Sequence, residues 1–270
     1  MKNKKRIIII GGGLGGLSAA LHLAVKGYPV MILEKNQYVG GQIRQITKRG
    51  FSFHFGANFI TMPEIITDLF TCANKNMDDY LTLARLEPQW RMFFPDGITI
   101  DLTNDFPQSV KQMEHEFLSD LHFKQYFDLC KLSYQLMIQN FRPSSILSLL
   151  FKRLERLTNR NYKKTIQEIH NYFLQEPHMK QIFNLFPMLE GVPPSQASPI
   201  LLYLTYNQIK FGLYYIEGGI YRLIEALVQI LYELGVEIRT EAEVSKILTE
   251  CFEVVGVELS DGTQLPADII

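Results

Sequence analysis

The sequence predicts an α/β fold in which a parallel sheet is interrupted by a mainly helical insertion and a small antiparallel ribbon. Two apolar runs, residues 7–10 and 30–33, have the unbroken character of parallel strands that are buried on both faces. Between them, glycines lead into a stretch whose leucines recur every three or four positions, which is typical of an amphipathic helix. The order strand, glycine turn, helix and strand predicts a Rossmann-like unit.

The glycines after the first strand have the spacing of a phosphate-binding turn. Gly11, Gly13 and Gly16 fit the pattern G-x-G-x-x-G, and Gly12 and Gly15 fill positions beside them. In that pattern the first glycine makes a tight turn, the second lets the backbone approach a pyrophosphate, and the third lets the helix lie close to the strand. The helix that follows would direct free N–H groups at the phosphates. A glycine turn without a ligand is the alternative.

The second strand ends at Glu34, which stands about 20 residues after the glycine turn. A carboxylate at this position accepts hydrogen bonds from a ribose 2′-hydroxyl, and it would repel a 2′-phosphate. The sequence therefore predicts FAD or NAD rather than NADP. The basic start, MKNKKR, and the uncharged residues 7–25 also resemble a signal peptide or membrane anchor, but the glycines disfavour a spanning helix.

The charge balance and the cysteines argue against several classes of site. Lys and Arg total 27 and Asp and Glu total 28, so the formal net charge of -1 gives no reason to expect a nucleic-acid partner. Cys72, Cys130 and Cys251 lie too far apart in sequence for a metal or disulfide motif, which favours a reducing compartment. We therefore expect a cytoplasmic protein without a metal site.

Three segments together resemble a known family: GGGLGGLSAALHLAVKGYPVMILEKN, the pair Gly40-Gly41, and GFSFHFGANFITMP. They are similar to the N-terminal part of bacterial carotenoid desaturases of the phytoene and dehydrosqualene desaturase type, within the amine-oxidase-like flavoproteins. The resemblance implies that the dinucleotide is FAD, with its pyrophosphate at residues 11–16 and its ribose at Glu34. It also implies that the cofactor site includes Lys35, Gly41, Gln42 and Gly56.

Two departures from the family pattern stand near the expected cofactor. Gln42 occupies a place where the family usually has arginine, with Arg44 two positions on. The segment Phe53-His54-Phe55-Gly56-Ala57 replaces the family's Phe-Asp-x-Gly-Pro. The resemblance makes His54 the one titratable residue expected near the flavin, although a histidine in a strand commonly has a structural role. The sequence identifies no catalytic acid or base.

Capping motifs predict where several helices begin. Thr61-x-x-Glu64 and Thr165-x-x-Glu168 both fit the capping box, so we expect helices that start at these threonines. The serine–proline pair at residues 198–199 predicts a further helix start, because proline is favoured at the first helical position.

Residues 86–213 are expected to form the mainly helical insert, with the antiparallel ribbon at its start. Residues 90–102 predict a hairpin that turns at Pro95-Asp96-Gly97. His115 and His122 follow on a predicted helix, seven positions apart. Two helical turns separate them, which is too far for one metal ion, so a solvated polar face is the better interpretation.

A basic amphipathic helix is expected at residues 143–157. Its leucines adjoin Lys152, Arg153 and Arg156, so it either packs its apolar face on the core or lies on a membrane surface. The family resemblance implies an apolar tunnel for a long polyene in this insert. With such a substrate, a peripheral position on the inner face of the membrane also becomes an expectation.

Residues 214–270 are expected to return to the first domain, residues 1–85. Gly218-Gly219 precedes a predicted helix, strands follow it, and by the resemblance Val244 supplies backbone contacts to the adenine. Residues 267–270 read as the start of another strand of the parallel sheet. The resembling family continues far beyond this point. We therefore expect a truncated or split chain, with an incomplete sheet, that a second polypeptide complements or that is inactive alone.

The resemblance implies an FAD-dependent oxidoreductase that introduces double bonds into a long apolar polyene, with the flavin accepting a hydride. A flavin amine oxidase is the second interpretation, although the helices of residues 165–213 offer an amine few acids: Glu168, Glu176 and Glu190. A third interpretation is a non-catalytic dinucleotide-binding fragment or partner subunit.

Overall fold

The computed structural model describes residues 4–103, 121–141 and 164–270. These residues form two compact units: the first combines the chain up to Arg85 with Tyr214–Ile270, and the second is Leu86–Leu213. The basic helix expected at residues 143–157, His115 and the side chain of His122 lie outside the described residues.

The elements are named here in chain order. The strands are β1 (Ile7–Ile10), β2 (Val30–Leu33), β3 (Arg44–Lys48), β4 (Phe51–Phe55), β5 (Leu83–Arg85), β6 (Trp90–Phe93), β7 (Thr99–Leu102), β8 (Tyr214–Ile216), β9 (Glu237–Arg239), β10 (Val244–Glu250), β11 (Glu253–Leu259) and β12 (Gln264–Pro266). The helices are α1 (Leu14–Val25), α2 (Pro63–Cys72), α3 (Leu121–Phe141), α4 (Ile166–Phe173), α5 (Pro177–Met188), α6 (Leu202–Phe211) and α7 (Tyr221–Glu233).

The first unit is built on the parallel sheet that the sequence predicts. Its strands lie in the order β1, β2, β9, and Ile32 of the central strand pairs with Ile9 on one side and Ile238 on the other. On the outer side of β1, Ile269 forms a parallel bridge to Ile7, and the Ile8 N–H donates to the Ile269 carbonyl at 3.0 Å. The expectation that residues 267–270 enter the parallel sheet is therefore confirmed.

Helices α1 and α7 pack together to form the main core of this unit. Leu17 and Leu21 of α1 are buried, as are Leu227 and Leu231 of α7. Complete burial of a leucine side chain contributes roughly 1.5–3 kcal/mol, so these four residues are a large part of what holds the helices together. Both helices lead directly into strands of the parallel sheet, namely β2 and β9.

Two antiparallel elements complete the first unit. Strands β10, β11 and β12 form a meander whose second turn contains Asp261-Gly262. Strands β3 and β4 form a hairpin. Because alternate residues share a face, Phe51, Phe53 and Phe55 project together, and all three are exposed.

The second unit joins the predicted hairpin to helices. Strands β6 and β7 are antiparallel and turn at residues 95–97, as expected. The helices α3 to α6 share a core in which Tyr126, Phe183 and Phe186 are fully buried. No helix of the described residues combines the length and apolarity needed to cross a bilayer.

The capping predictions had different outcomes. At Thr165 the capping box is present: the Thr165 hydroxyl accepts from the Glu168 N–H at 3.3 Å, and the Glu168 carboxylate accepts from the Thr165 N–H at 2.6 Å. After Thr61 the predicted helix is present as α2, but the predicted cap is wrong, because α2 starts at Pro63 after Met62, without a side-chain cap. Proline fixes the backbone angle of the first helical residue and needs no N–H partner, so it sets the start itself.

The serine–proline pair at residues 198–199 begins a short 3₁₀ turn, Pro199–Leu201, rather than an α-helix. Helix α6 starts only at Leu202, and the Ser198 side chain makes no cap hydrogen bond. The proline again occupies the first helical position, so the predicted location is right and the predicted role of the serine is not.

Candidate dinucleotide-binding site

The turn between β1 and α1 needs glycine at particular positions. Gly11 has φ of +102°, which L side chains rarely adopt. A Cβ at Gly16 would overlap the carbonyl oxygen of Gly11, so α1 reaches the turn only because residue 16 has no side chain. A Cβ at Gly12 would lie 2.7 Å from Cγ1 of Val39. Around Gly15 the space is open, so packing within the chain does not require glycine there.

The second glycine pair lies directly against this turn. The Gly40 N–H donates to the Gly12 carbonyl at 2.7 Å, and Gly13 and Gly40 form a parallel bridge. A Cβ at Gly41 would lie 3.2 Å from the Gly13 Cα. Two separate glycine segments thus form one surface of backbone atoms, which we call the glycine cradle (the five glycines of residues 11–16 with Gly40 and Gly41). A phosphate group could approach this surface closely.

Helix α1 presents its N-terminus at the glycine cradle. Gly13 precedes the helix, no side chain caps it, and its first turn contains no acidic residue. The N–H groups of a first helical turn have no partner within the helix and carry the positive end of the helix dipole. This end of α1 therefore favours an anion such as a pyrophosphate.

Glu34 is buried beside the cradle and is held by backbone and side-chain donors. One carboxylate oxygen accepts from the Gly12 N–H at 2.8 Å, and the other accepts from the Asn36 N–H at 2.9 Å and the Asn36 Nδ2 at 2.6 Å. Burial raises the pKa of Glu34, but the hydrogen bonds from Asn36 and Gly12 outweigh it, so the pKa lies below its usual value. The carboxylate stays ionised and ties the glycine turn to β2.

A cleft of about 560 Å³ opens next to Glu34 at the C-terminal ends of β2 and β9. Its lining comes from three segments: Lys35, Asn36, Gln37, Tyr38; Glu241, Ala242, Glu243; and Leu259, Ser260, Asp261. Parallel α/β sheets bind their ligands at this edge. The Ala242 N–H donates to the Glu34 carbonyl at 2.9 Å and closes the base of the cleft. We call it the Glu34 cleft.

Comparison with known protein families decides the identity of this fold. The model of the flavin-containing amine oxidoreductases matches residues 14–270. The chain belongs to this family. The family is flavin-containing, so the prediction of FAD is confirmed, and NAD, which the residues alone left open, is set aside.

Individual relatives of this flavoprotein confirm the resemblance to carotenoid biosynthesis enzymes. The chain is 35% identical over 274 residues to a 4,4′-diapolycopene oxygenase of Methylomonas sp, which covers 99% of the chain and 55% of the relative. It is 34% identical over 278 residues to a 4,4′-diaponeurosporene oxygenase of Staphylococcus haemolyticus, with coverage of 99% and 55%. The chain spans about half the length of these curated relatives.

Solved structures show the same fold at low sequence identity. An oxidoreductase from Methanosarcina mazei matches with a TM-score of 0.65 and 21% identity, covering 98% of this chain and 58% of that one. Putrescine oxidase bound to putrescine matches with a TM-score of 0.64 and 14% identity, covering 98% and 57%. These matches confirm the predicted α/β class.

The flavoprotein's own residues fit an FAD molecule at the cradle. The glycine surface admits phosphates, the start of α1 favours their charge, and the Glu34 cleft lies where the adenosine would extend. Lys35 lines that cleft, and Val244 begins β10 directly after Glu243 of its lining. These contacts to FAD remain predictions.

Two further predicted residues lie at the base of the β3–β4 hairpin. Gly56 has φ of +98°, and a Cβ there would lie 3.0 Å from the Gln42 carbonyl oxygen. Gln42 follows Gly41 of the cradle, so this contact joins the hairpin to the cradle. The guanidinium carbon of Arg44, two positions after Gln42, lies 4.8 Å from the centroid of the Phe55 ring.

Sequence reasoning missed Asn36 and Val39. Asn36 contributes two of the three hydrogen bonds to the Glu34 carboxylate, and Val39 packs against Gly12. Asparagine is one of the residues that favour turns, so its place directly after β2 was a signal for Asn36. Nothing local distinguishes Val39 from other apolar residues.

Proposed function

We propose that this chain is the FAD-binding part of an oxidoreductase that oxidises a long, apolar, conjugated polyene. The observation that carries the proposal is the glycine cradle with the ionised Glu34 beside it, because this arrangement suits the AMP half of FAD. The polyene is supported by relatives that are 34–35% identical over almost the whole chain and are named for 4,4′-diapocarotenoids.

The chemistry divides between the cofactor and the chain. Bound FAD would supply the capacity to accept a hydride. The chain's residues would bind and orient it: the cradle would hold the pyrophosphate, and Glu34 would accept hydrogen bonds from the ribose while it keeps Gly12 in place.

The core of the second unit is rich in aromatic rings. Aromatic rings of α3 and α6 form a continuous series, which we call the aromatic ladder: Phe127 lies 5.4 Å from Tyr206, and Tyr134 lies 5.0 Å from Tyr206 and 5.4 Å from Phe211, between ring centroids. Such rings offer large flat contact areas. An aromatic surface of this kind, if opened to a substrate, would favour a conjugated one, and in this way the ladder supports the proposal.

An amine substrate is less well supported. Glu168 is engaged in the capping box, and Glu176 accepts a hydrogen bond from His178 at 2.7 Å. Two of the three acids of the α4–α6 region therefore already have partners, and a substrate ammonium group would have to displace them.

The relatives' names make oxygenation the leading reaction, while the resemblance to desaturases makes desaturation the second candidate. The two reactions give different products from one polyene. Oxygenation adds oxygen at a carbon atom, and desaturation removes two hydrogens. Mass spectrometry of the product therefore separates them.

The test is turnover of an acyclic C30 polyene in liposomes, with the flavin content of the protein measured in the same preparation. Because the chain spans about half the relatives' length, we propose that a second polypeptide segment completes the enzyme, and the assay is run with and without the neighbouring coding sequence. We expect an oxidised product when both are present. Flavin-loaded protein that converts no polyene under either condition contradicts the proposal.

The same liposomes test a peripheral membrane location. We propose that the protein reaches its apolar substrate from the bilayer surface, so it should float with the vesicles in a density gradient. Protein that stays at the bottom of the gradient while it turns over detergent-dispersed polyene contradicts this location but not the activity.

A further inference from the structure

The β3–β4 hairpin has an apolar face that is open to solvent. Ile46 lies opposite Phe53 in the cross-strand register, and Phe51 and Phe55 point to the same side, because alternate residues of a strand share a face. The exposed fractions are 70% for Phe51, 55% for Phe53, 41% for Phe55 and 42% for Ile46. The three rings alone expose roughly 300 Å², a size at which apolar patches are often functional. We call these four side chains the hairpin face.

The opposite side of the hairpin is polar and fixes the register of the two strands. The Gln45 Nε2 donates to the Ser52 hydroxyl at 3.1 Å, and the hydroxyl oxygens of Thr47 and Ser52 lie 3.3 Å apart. A slip of one residue would turn every side chain to the other side and break these contacts. The phenylalanines are therefore held together on the exposed side.

The hairpin face is accompanied by positive charge without any negative charge. The cations of the hairpin are Arg44, Lys48 and Arg49. The first two lie opposite Phe55 and Phe51, so they belong to the same side of the hairpin. Residues 35–63 contain no aspartate or glutamate, and within the part of the chain that the structure describes none of the three cations forms an ion pair. A partner of this surface must therefore bring the negative charge.

The turn of the hairpin does not by itself account for an arginine. Arg49 and Gly50 have φ of +53° and +82°, so both central residues of this two-residue turn adopt positive φ. Asparagine, aspartate and glycine are the residues that such turns favour. An exposed arginine in this strained position places a charge at the tip of the hairpin, next to Phe51.

A lipid bilayer fits this combination better than a second protein does. Lysine is depleted in protein–protein interfaces, whereas at a bilayer surface lysine and arginine lay their methylene groups along apolar neighbours and keep their charges among the headgroups. Among the described residues, β3 and β4 form a sheet of two strands, so their outer edges carry unpaired backbone groups. Such edges are compatible with the hydrated headgroup level but not with the hydrocarbon interior.

We propose that the hairpin face docks this protein on an anionic lipid bilayer. The phenylalanines enter the boundary between headgroups and acyl chains, and Arg44, Lys48 and Arg49 lie among the headgroup phosphates. This inference rests on the proposed function, because a bilayer is where a long apolar polyene is held, and it assigns the proposed peripheral location to named residues of the first unit.

Flotation of the purified chain with vesicles that contain no polyene tests the proposal. The vesicles consist of phosphatidylcholine alone or of phosphatidylcholine mixed with phosphatidylglycerol, and we expect tighter binding to the mixture. Phe51→Ser and Phe53→Ser should each bind both kinds about tenfold more weakly, because less apolar surface is buried. Lys48→Gln and Arg49→Gln should each bind about fivefold more weakly to the mixed vesicles alone.

The chain offers a matched control for each kind of substitution. Phe93 is 76% exposed but lies on β6 of the second unit, and Lys246 is an exposed lysine of β10. Phe93→Ser and Lys246→Gln should bind both kinds of vesicle as wild type does. Circular dichroism checks the fold of every variant. If a phenylalanine variant does not fold, the charge variants still test the same surface.

Several results overturn the proposal. Wild type that floats with neither kind of vesicle contradicts it, and so do hairpin variants that bind as tightly as wild type or controls that lose as much binding. Vesicle binding that disappears when the product of the neighbouring coding sequence is added shows that a polypeptide, and not a bilayer, covers the hairpin face.

The proposed function is tested separately, by turnover of polyene dispersed in detergent. A protein that converts the polyene but does not float contradicts the docking surface alone. A protein that floats through its hairpin but, with flavin bound, converts no polyene contradicts the proposed function and supports the docking surface.

Discussion

Glu34 in the first unit and His170 in the second are both buried titratable residues, but their surroundings favour opposite states of charge. Glu34 is surrounded by N–H donors of Gly12 and Asn36, so it remains an anion with a lowered pKa. His170 is 1% exposed, and burial lowers its pKa to about 4, so it remains neutral. The donors around Glu34 keep a charged group next to the Glu34 cleft, whereas the burial of His170 keeps the core of the second unit uncharged.

The partners of His170 show how a neutral imidazole is satisfied in that core. Its Nδ1 donates to the Asn184 Oδ1 at 2.6 Å, and its Nε2 accepts from the Tyr126 hydroxyl at 2.9 Å. Tyr126 is fully buried and also lies 3.5 Å from the Thr205 hydroxyl. Because every member has a partner, this network fixes the packing of α3, α4, α5 and α6 and leaves no group directed at a ligand. In the first unit, the buried polar group Glu34 thus marks a candidate ligand site. In the second unit, the buried polar group His170 stabilises the packing of the helices.

The largest effect is expected at Gly16, where backbone leaves no room for a side chain. Gly16→Ala should lower the free energy of unfolding by about 3 kcal/mol or more and abolish FAD binding, because its Cβ overlaps the Gly11 carbonyl. Urea unfolding followed by circular dichroism measures the loss.

Gly15→Ala is the matched control for Gly16→Ala, since the space around Gly15 is open. It should be neutral or stabilise the chain by up to about 1 kcal/mol, as alanine favours a helix over glycine. Equal losses in the two variants would show that the contact with Gly11 is not the cause.

The next effect concerns the pH dependence of the second unit. Burial lowers the pKa of folded His170 from the ordinary 6.5 to about 4, so the unfolded chain binds a proton first as the pH falls. The free energy of unfolding should therefore decrease by about 2–3 kcal/mol in total between pH 6.5 and pH 4. Below pH 4 it should level off. His170→Gln should be less stable at pH 7 but should lack this decrease.

Tryptophan fluorescence is the appropriate measurement for His170, because Trp90, the single tryptophan of the sequence, lies in the second unit. Its indole N–H donates to the Gln208 Oε1 at 3.1 Å, so its emission reports on the packing of that core. The same decrease in wild type and His170→Gln would assign it to other groups.

A smaller effect is expected at Glu34. Glu34→Gln replaces one acceptor oxygen by a donor, so one of the N–H groups of Gly12 and Asn36 loses its partner, and the free energy of unfolding should fall by about 2 kcal/mol. Because the folded pKa is lowered, the contribution of Glu34 is present above the unfolded pKa and is lost as the pH falls through the folded pKa. The difference between wild type and variant should therefore shrink in acid.

The control for Glu34 is Glu237→Gln. Glu237 lies in β9 of the same sheet, but it is exposed and its partner is Arg239. Neither FAD affinity nor stability should change measurably there, because exposed ion pairs contribute little. A comparable loss in Glu237→Gln would point to the general charge of the sheet rather than to the cradle.

The smallest effect is expected at His178, which has the opposite pKa shift from His170. Glu176 and Asp96 each lie 2.7 Å from one ring nitrogen, and the hydrogen bonds to Glu176 and then Asp96 raise the pKa of His178. The stabilisation is fully present below the unfolded pKa and is lost as the pH rises through the folded pKa. His178→Asn should therefore be less stable than wild type in acid and nearly equal to it in alkali.

Urea titrations at pH 5.5 and pH 8.5 with Trp90 emission measure this difference for His178. Asp96→Asn, which removes one of the two carboxylates, should show part of the same pH dependence. A difference between wild type and His178→Asn that grows with pH would contradict the raised pKa.

Much of the first unit could be predicted because its signals are local. Apolar runs predicted β1 and β2, and a glycine pair marked the start of α7. The capping box at Thr165 formed, whereas the one at Thr61 did not, since Pro63 begins that helix instead. Two local motifs can favour different starting residues for the same helix, as Thr61 and Pro63 do, and the sequence pattern alone does not show which of them sets the start.

The sequence by itself determined the parallel sheet, the positions that must be glycine, the acid after β2 and the membership in a flavoprotein family. These follow from backbone angles, hydrophobic period and residue spacing, all of which act over a few residues. Only the tertiary structure decided that Gly41 lies against Gly13, that Glu34 ties down Gly12, and that His54 lies over Gly219 with no partner for its Nδ1 among the described residues. Such contacts join segments that are distant in the chain, and they form because sheet and helix packing brings those segments to one edge.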